Sequence, residues 1–211
     1  MKTDDLVGLL ARDDIVERSP SLAAAFLYPP CLVAVALLFF ATLGPRAGFD
    51  TQAILVTTAT KLAITLTLAV SGVVAALRAA RPDAGARLGL LAAAPALLLL
   101  TLAIALDLST SGVAGWQSRL VGLHGWRCLA AVTTFSLLPL AATLDVLRRG
   151  ATTRRTMAGV VAGLAASGVG ASFYALACTD DSPLFMLAWY GPATLIVVAL
   201  GLFGARRLLE W

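Results

Sequence analysis

Six long apolar runs, separated by short polar segments, constrain the fold of this chain more than any other feature. Each run can cross about 30 Å of hydrocarbon, which takes roughly 20 residues of α-helix. The runs are continuous rather than alternating in polarity, so they predict helices and argue against a transmembrane β-barrel. The expected spans are about 22–43, 52–77, 88–106, 124–147, 156–177 and 184–205.

The composition excludes a soluble globular domain. Hydrophobic residues make up 59% of the 211 residues and charged residues only 13%, which leaves too few polar side chains to cover a surface in water. The net charge of +4 is explained by arginines in the loops better than by direct binding to nucleic acid. We therefore expect an all-α integral membrane protein, with a six-transmembrane-helix bundle over 22–211 and a cytoplasmic segment over 1–21.

Basic residues fall on alternate loops and so predict the orientation of the bundle. One set of segments carries Lys2, Arg12, Arg18, Arg78, Arg81, Arg87, Arg148, Arg149, Arg154, Arg155, Arg206 and Arg207. The other set carries only Arg46, Arg119 and Arg127. Because basic residues are retained on the cytoplasmic side of a membrane, both termini are expected in the cytoplasm and the loop at 178–183 outside.

Residues 1–18 are predicted to form a short helix, with acidic residues near its positive end. An apolar stripe along it is formed by Leu6, Leu9, Leu10 and Val16. Two interpretations stay open. The helix could lie along the inner leaflet of the membrane, or its stripe could dock into a groove of a cytosolic protein.

Two residues inside the predicted spans have chemistry of their own. Lys61 lies in the second span, and a charge at that depth is a candidate for function. It could equally reach the outer interface or pair with an acid of an outer loop, the candidates being Asp50, Asp107, Asp180 and Asp181. Cys31 in the first span is interpreted as a small buried hydrophobic residue.

The short polar segment 178–183 brings a thiol and two carboxylates to the outer side. His124 and Cys128 lie one helical turn apart and so share a face. The fourth and fifth spans form a hairpin about a turn near 151–152. Cys128 lies about 24 residues before that turn and Cys178 about 26 after it, which at 1.5 Å per residue sets them at nearly the same height.

Several interpretations of this outer cluster remain compatible with the sequence. His124, Cys128, Cys178, Asp180 and Asp181 could together bind a soft or borderline divalent metal. The two thiols could instead be disulfide-bonded or free. The acids, with the Ser-Pro that follows them, are also typical of a helix start.

Small residues recur at four-residue steps in the fifth span and predict a close helix contact there. They are Gly159, Gly163, Ser167, Ala171 and Ala175.

Four motifs together resemble the NrsF family of six-span membrane anti-sigma factors, negative regulators of sigma factor F in proteobacteria. They are the opening MKTDDL at 1–6, the His124-x-x-x-Cys128 pair, CTDDSPLF at 178–185 followed by Trp189-Tyr190, and the closing RRLLEW at 206–211. The similarity runs from end to end, although the intervening spans match only in hydropathy.

The resemblance implies a protein that holds an extracytoplasmic-function sigma factor at the bacterial inner membrane. It would release the sigma factor on periplasm-side stress, from a heavy metal or an oxidant. The two outer-side cysteines of the family fall on Cys128 and Cys178, which are then the sensor, with His124, Asp180 and Asp181 in support. The sigma factor would bind the stripe at 1–18, and the only expected ion is a divalent heavy metal acting as signal.

Two other functional classes, a thiol oxidoreductase and a small transporter, would require different sequence features. A thiol oxidoreductase would need a resolving pair such as CxxC, which the sequence lacks, so no enzyme activity is expected. A small metal or proton-coupled transporter would need polar residues at mid-membrane on several helices, yet Lys61 is the only charge clearly inside a span. The transporter remains the alternative hypothesis.

Overall fold

The computed structural model describes residues 20–47, 51–82, 85, 87–112 and 115–209. The regular structure of these residues is helical throughout. The predicted helix at 1–18, with the stripe Leu6, Leu9, Leu10 and Val16, lies outside the described residues. The helices are α1 (Pro20–Thr42), α2 (Gln52–Ala79), α3 (Leu88–Ser111), α4 (Trp116–Val121), α5 (Gly125–Arg148), α6 (Arg155–Ala177) and α7 (Pro183–Leu208).

Six helical stretches in the described residues are long and apolar enough to cross a membrane, with the short α4 counted together with α5. The six predicted spans are therefore confirmed as helices, with shifts of a few residues at most of their ends. The third helix continues to Ser111, beyond the predicted end at 106. An ion pair supports this extension, because the Arg119 guanidinium donates to Asp107 at 2.7 Å and to the Gly112 carbonyl at 2.6 Å.

The last helix is composite. It consists of one turn at Pro183–Phe185, a π-helical segment at Met186–Tyr190 and an α-helix over Gly191–Leu208. At the end of the π-helical segment, the Gly191 N–H donates to the Met186 carbonyl, five residues earlier in the chain. Pro192 lacks an N–H and its ring would crowd the carbonyl four residues before it, so a wider turn here relieves the backbone.

Helix α6 lies at the centre of the bundle, and nearly all of its middle is buried. The predicted contact of its small residues is confirmed on the α7 side, where a Cβ on Gly159 would lie 2.7 Å from the Cα of Leu202. Small residues also allow close approach elsewhere, since a Cβ on Gly72 of α2 would lie 2.5 Å from the Ala165 nitrogen. In lipid such contacts hold helices together by van der Waals packing rather than by the hydrophobic effect.

Helix α1 lies at the edge of the bundle and packs mainly against α5. The Tyr28 hydroxyl and the Thr143 hydroxyl form a hydrogen bond of 2.7 Å between the two helices. Cys31 is buried in an apolar cluster that includes Phe39 and Phe135, which agrees with its interpretation as a small hydrophobic residue. Successive long helices run in opposite directions, so Cys178 lies at one end of the bundle. The arginines of the loops that join α2 to α3 and α5 to α6 lie at the other end.

Candidate functional site

Several chain segments meet at the loop 178–182, which joins α6 to α7 at the Cys178 end of the bundle. Its first residue ends α6, with the Cys178 N–H donating to the Tyr174 carbonyl at 2.9 Å. Its last residue begins α7, because the Ser182 hydroxyl accepts from the Leu184 N–H at 3.2 Å. The predicted helix start is thus confirmed at Ser182, and the two acids before it bind other parts of the chain.

Asp181 is bound by two cations. One oxygen of its carboxylate, Oδ1, accepts from Arg46 Nη1 and from Lys61 Nζ, both at 2.7 Å. The Lys61 side chain is only 2% exposed, and among its described candidate partners Asp107, Asp180 and Asp181 the structure selects Asp181. The fourth candidate, Asp50, lies outside the described residues. Burial by itself would raise the pKa of Asp181, but the hydrogen bonds and charges of Arg46 and Lys61 together lower it.

The same two cations also bind the backbone of the cysteine. Arg46 Nη1 donates to the Cys178 carbonyl oxygen at 3.2 Å and Lys61 Nζ donates to it at 3.1 Å. The Arg46 N–H donates to the Leu176 carbonyl at 3.0 Å. Four chain segments therefore converge at this point: the segment that follows α1, the first half of α2, the end of α6 and the loop at 178–182.

Asp180 holds the start of α5. Its carboxylate accepts from the N–H groups of Leu123 at 3.0 Å and His124 at 3.2 Å. A negative charge at this place suits the positive end of the helix. The segment is also pressed against α7, where Trp189 Nε1 donates to the Val121 carbonyl at 3.0 Å.

Cys128 and Cys178 pack in one buried cluster, with exposed fractions of 0% and 2%. Cys128 lies in the first turn of α5 and Cys178 directly follows α6, so both lie at the same end of the hairpin, while their equal height stays a prediction. Both are free thiols in this structure, as is Cys31. Tyr174 and Tyr190 belong to the same cluster, with ring centroids 5.9 Å apart. Burial raises the pKa of the Cys178 thiol, and the nearby Lys61 charge lowers it only in part.

The five proposed metal ligands do not form one site here. Among the described residues, no group of three or more His, Cys, Asp and Glu side chains is placed to hold a metal ion. The Asp181 carboxylate is already bound by Arg46 and Lys61, and the Asp180 carboxylate by two backbone N–H groups. His124 lies at the rim, with its side chain 40% exposed and Nδ1 3.8 Å from Asp180 Oδ2.

A cleft of about 670 Å³ opens beside the cysteine cluster. Apolar residues of α1, α5 and α6 form part of its wall. The polar part of the wall comes from Thr42, His124, Arg127, Thr134, Tyr174, Cys178 and Thr179. Cys178 reaches the wall of this cleft, whereas Cys128 lies behind it in the core. A small solute could therefore approach the pair from the side of Cys178.

The sequence did not identify all of these residues. The sequence identified Arg46 only as one of three basic residues on the predicted outer side. The scarcity of basic residues there was the signal that could have pointed to a specific role for it. Tyr174 carried no signal, since aromatic residues are common in apolar helices, and Tyr190 was marked only as part of the Trp189-Tyr190 motif, without a role beside the cysteines. The binding of Asp180 to backbone groups depends on the path of a distant loop.

Comparisons with known proteins give one consistent result. The family NrsF, described as "Negative regulator of sigma F", matches residues 10–211. The chain is 35% identical over 220 residues to "Anti-sigma-F factor NrsF" of Caulobacter vibrioides. It is 30% identical over 215 residues to "Probable anti-sigma-F factor NrsF" of Azospira oryzae. Each alignment covers 100% of both chains. No solved structure matches.

Proposed function

The chain belongs to the NrsF family of negative regulators of sigma F, and from this premise we propose a specific mode of regulation. The protein holds an extracytoplasmic-function sigma factor at the bacterial inner membrane. It releases that sigma factor when a heavy metal or an oxidant on the periplasmic side alters Cys128 and Cys178. Its role is regulatory rather than catalytic.

The distribution of charge supports this orientation. The arginine-rich end carries Arg78, Arg81, Arg87, Arg148, Arg149, Arg154, Arg155, Arg206 and Arg207, whereas the Cys178 end carries Arg46, Arg119 and Arg127. By the positive-inside rule the arginine-rich end faces the cytoplasm. The two thiols then lie near the periplasmic surface, where oxidants and metal ions arrive first.

The single observation that carries the proposal is the pairing of Cys128 and Cys178 in one cluster. The two residues come from adjacent helices and are 50 positions apart in the sequence, yet both are buried and unbonded in one cluster, and Cys178 lines the cleft. A disulfide or a metal bound by both sulfurs would change how the ends of α5 and α6 pack. A coupling free energy of about 1–3 kcal/mol is enough for a typical switch.

The sigma factor is proposed to bind the segment before α1. Residues 1–19 lead into α1 at the arginine-rich end, and the stripe of Leu6, Leu9, Leu10 and Val16 fits an apolar groove in a partner. Deleting residues 1–18 should abolish co-purification of the cognate sigma factor with the detergent-solubilised protein. An unchanged complex would remove this segment from the binding site.

Serine substitutions test the sensor. Cys128→Ser and Cys178→Ser, alone and together, should retain the sigma factor but no longer release it when hydrogen peroxide or Hg²⁺ is added. Cys31→Ser is the matched control, because Cys31 is also a buried thiol but lies in a different cluster. The measurement is the amount of sigma factor that stays on the protein in nanodiscs before and after treatment. Normal release by the double variant would contradict the proposal.

The alternative of a small transporter is tested separately. Reconstituted in proteoliposomes, the protein should give no metal or proton flux above that of empty liposomes. Flux that depends on Lys61 would favour the transporter instead.

A further inference from the structure

We infer that Arg46, Lys61 and Asp181 form a latch that couples the position of Cys178 to α1. The three side chains and the Cys178 carbonyl oxygen are called the Asp181 latch below. This inference rests on the proposed function, because it assigns the residues that carry a change at the sensor toward the sigma-binding segment.

Four shared hydrogen bonds couple the Cys178 carbonyl to the three side chains of the latch. The Asp181 carboxylate and the Cys178 carbonyl each accept from both Arg46 and Lys61, at 2.7–3.2 Å. The backbone of the proposed sensor residue is therefore part of the same cluster as the two cations. A change that displaces the Cys178 carbonyl must lengthen two hydrogen bonds and disturb the other two.

Burial makes the latch a two-state element. The side chains of Lys61 and Arg46 are only 2% and 9% exposed, and a buried cation without a partner is strongly unfavourable. If the carboxylate moves away, the cations must therefore find water or another partner rather than remain in place. Packed and charged elements of this kind change between discrete arrangements instead of deforming gradually.

Helix α1 is the element best placed to move when the latch opens. Only 28% of its apolar window is buried, the same share as for α3 and well below the 72% of α6, and of the two peripheral helices only α1 leads directly to a residue of the latch. Arg46 lies four residues after the end of α1; its side chain belongs to the latch and its N–H donates to the Leu176 carbonyl. Within α1 itself, Phe39 packs against Phe135 near the same end. The other end of α1 leads into residues 1–19, so a tilt of α1 about the Tyr28–Thr143 hydrogen bond would displace the sigma-binding segment.

Helix α2 is held differently. It packs extensively against α6, where Gly72 and Ala165 are in close contact. Lys61 therefore provides the fixed side of the latch and Arg46 the movable side. Arg46, Lys61 and Asp181 are positioning residues, since they act through Cys178 and α1 and need not touch the stress signal.

The test uses the full chain in nanodiscs with its cognate sigma factor and no stress signal. Arg46→Gln should increase the rate of sigma-factor release at least tenfold in fully reduced protein. The same increase should be seen in the Cys128→Ser/Cys178→Ser background, because the latch acts after the cysteines. Arg46→Lys, which keeps the charge, should restore at least part of the retention.

The chain offers a matched control at the same end of the bundle. The Arg119–Asp107 pair is equally short, at 2.7 Å, but joins α3 to α4 away from Cys178. Arg119→Gln should leave the release rate unchanged. An equal effect of Arg119→Gln, or normal retention and normal response by Arg46→Gln, would overturn the latch.

A second measurement does not depend on the sigma factor. Spin labels at Leu43 and Thr179, in a background with all three native cysteines replaced by serine, report the distance between the end of α1 and the loop. Arg46→Gln should broaden or lengthen this distance distribution, and an unchanged distribution would overturn the latch. If the native chain retains no sigma factor while the distances shift as expected, the proposed function fails and the latch stands as a structural device.

Discussion

Asp180 and Asp181 are neighbours in one loop, but they bind different kinds of group. Asp180 accepts from the N–H groups of Leu123 and His124, and Asp181 accepts from the side chains of Arg46 and Lys61. The sequence suggested that both acids could begin a helix or bind a metal. Consecutive residues in an extended loop point in different directions, so each acid meets a different part of the bundle.

The charge of Asp181 should make stability depend on pH in a defined window. Its pKa is lowered from the ordinary value of 3.8, so its contribution is fully present above about pH 4 and is lost as the pH falls through the lowered value. Asp181→Asn should lower the free energy of unfolding by about 2 kcal/mol at pH 7, because it removes a charged but partly exposed acceptor from two buried cations. Unfolding in detergent measures this difference.

The pH dependence separates charge from packing. The difference in stability between the native chain and Asp181→Asn should therefore shrink toward zero at a pH well below the lowered pKa of Asp181. A difference that persists at that pH would mean that the substitution acts through shape rather than charge.

At the scale of elements, α6 organises the bundle because its small residues accept neighbours on several sides. Gly159 meets α7, Gly170 meets Ser136 of α5, and Ala165 meets Gly72 of α2. The four-residue step from Gly159 to Ala175 predicted one such face. The other faces use small residues at different spacings, so the sequence indicated the tight contact without showing that α6 is enclosed.

A larger side chain on the tight face should weaken the bundle. Gly159→Leu should destabilise the protein by about 3 kcal/mol, because its Cβ would lie 2.7 Å from backbone Cα of Leu202 and overpacking forces helices apart. Gly191→Ala is the matched control, since nothing lies within 4 Å of its Cβ. It should be neutral or stabilise α7 by up to about 1 kcal/mol. Thermal unfolding in detergent compares the two variants, and equal stability would contradict the packing argument.

At the scale of the whole molecule, the two ends of the bundle differ in chemistry. One end collects arginines on the loops that join α2 to α3 and α5 to α6, and the other collects the two cysteines, the Asp181 latch and the Asp180 contacts. Six helices join them, so an event at the Cys178 end reaches the other end only through helix movement. The peripheral α1 is the helix with the fewest restraints on such a movement.

The orientation of the bundle can be tested directly. A fluorescent reporter that matures only in the cytoplasm should be bright when fused at either terminus, because the basic residues favour retention of that side. A reporter active only in the periplasm should be active when inserted between Ser111 and Trp116. The reverse pattern would place Cys178 in the cytoplasm and contradict the proposed sensing of periplasmic stress.

The sequence by itself determined the six long apolar helices of the described residues, their approximate ends and the expected orientation, but not the short α4. These properties depend on the apolar length of single segments and on the charge beside them, both of which are local. The prediction that Cys128 and Cys178 lie at the same end of the bundle also followed, since helix rise is constant along a hairpin. The family was already indicated by motifs at the two ends and at the outer loops.

The tertiary structure decided which groups meet. Lys61 had four candidate partners, and only the folded chain selects Asp181, 120 positions away. The role of Arg46 and the burial of both thiols beside Tyr174 and Tyr190 were likewise not visible. The physical reason is that nearly uniform apolar helices leave their rotation about their own axes unspecified. Close packing of α6 with its neighbours fixes that rotation, and with it the partners of every polar group at the Cys178 end.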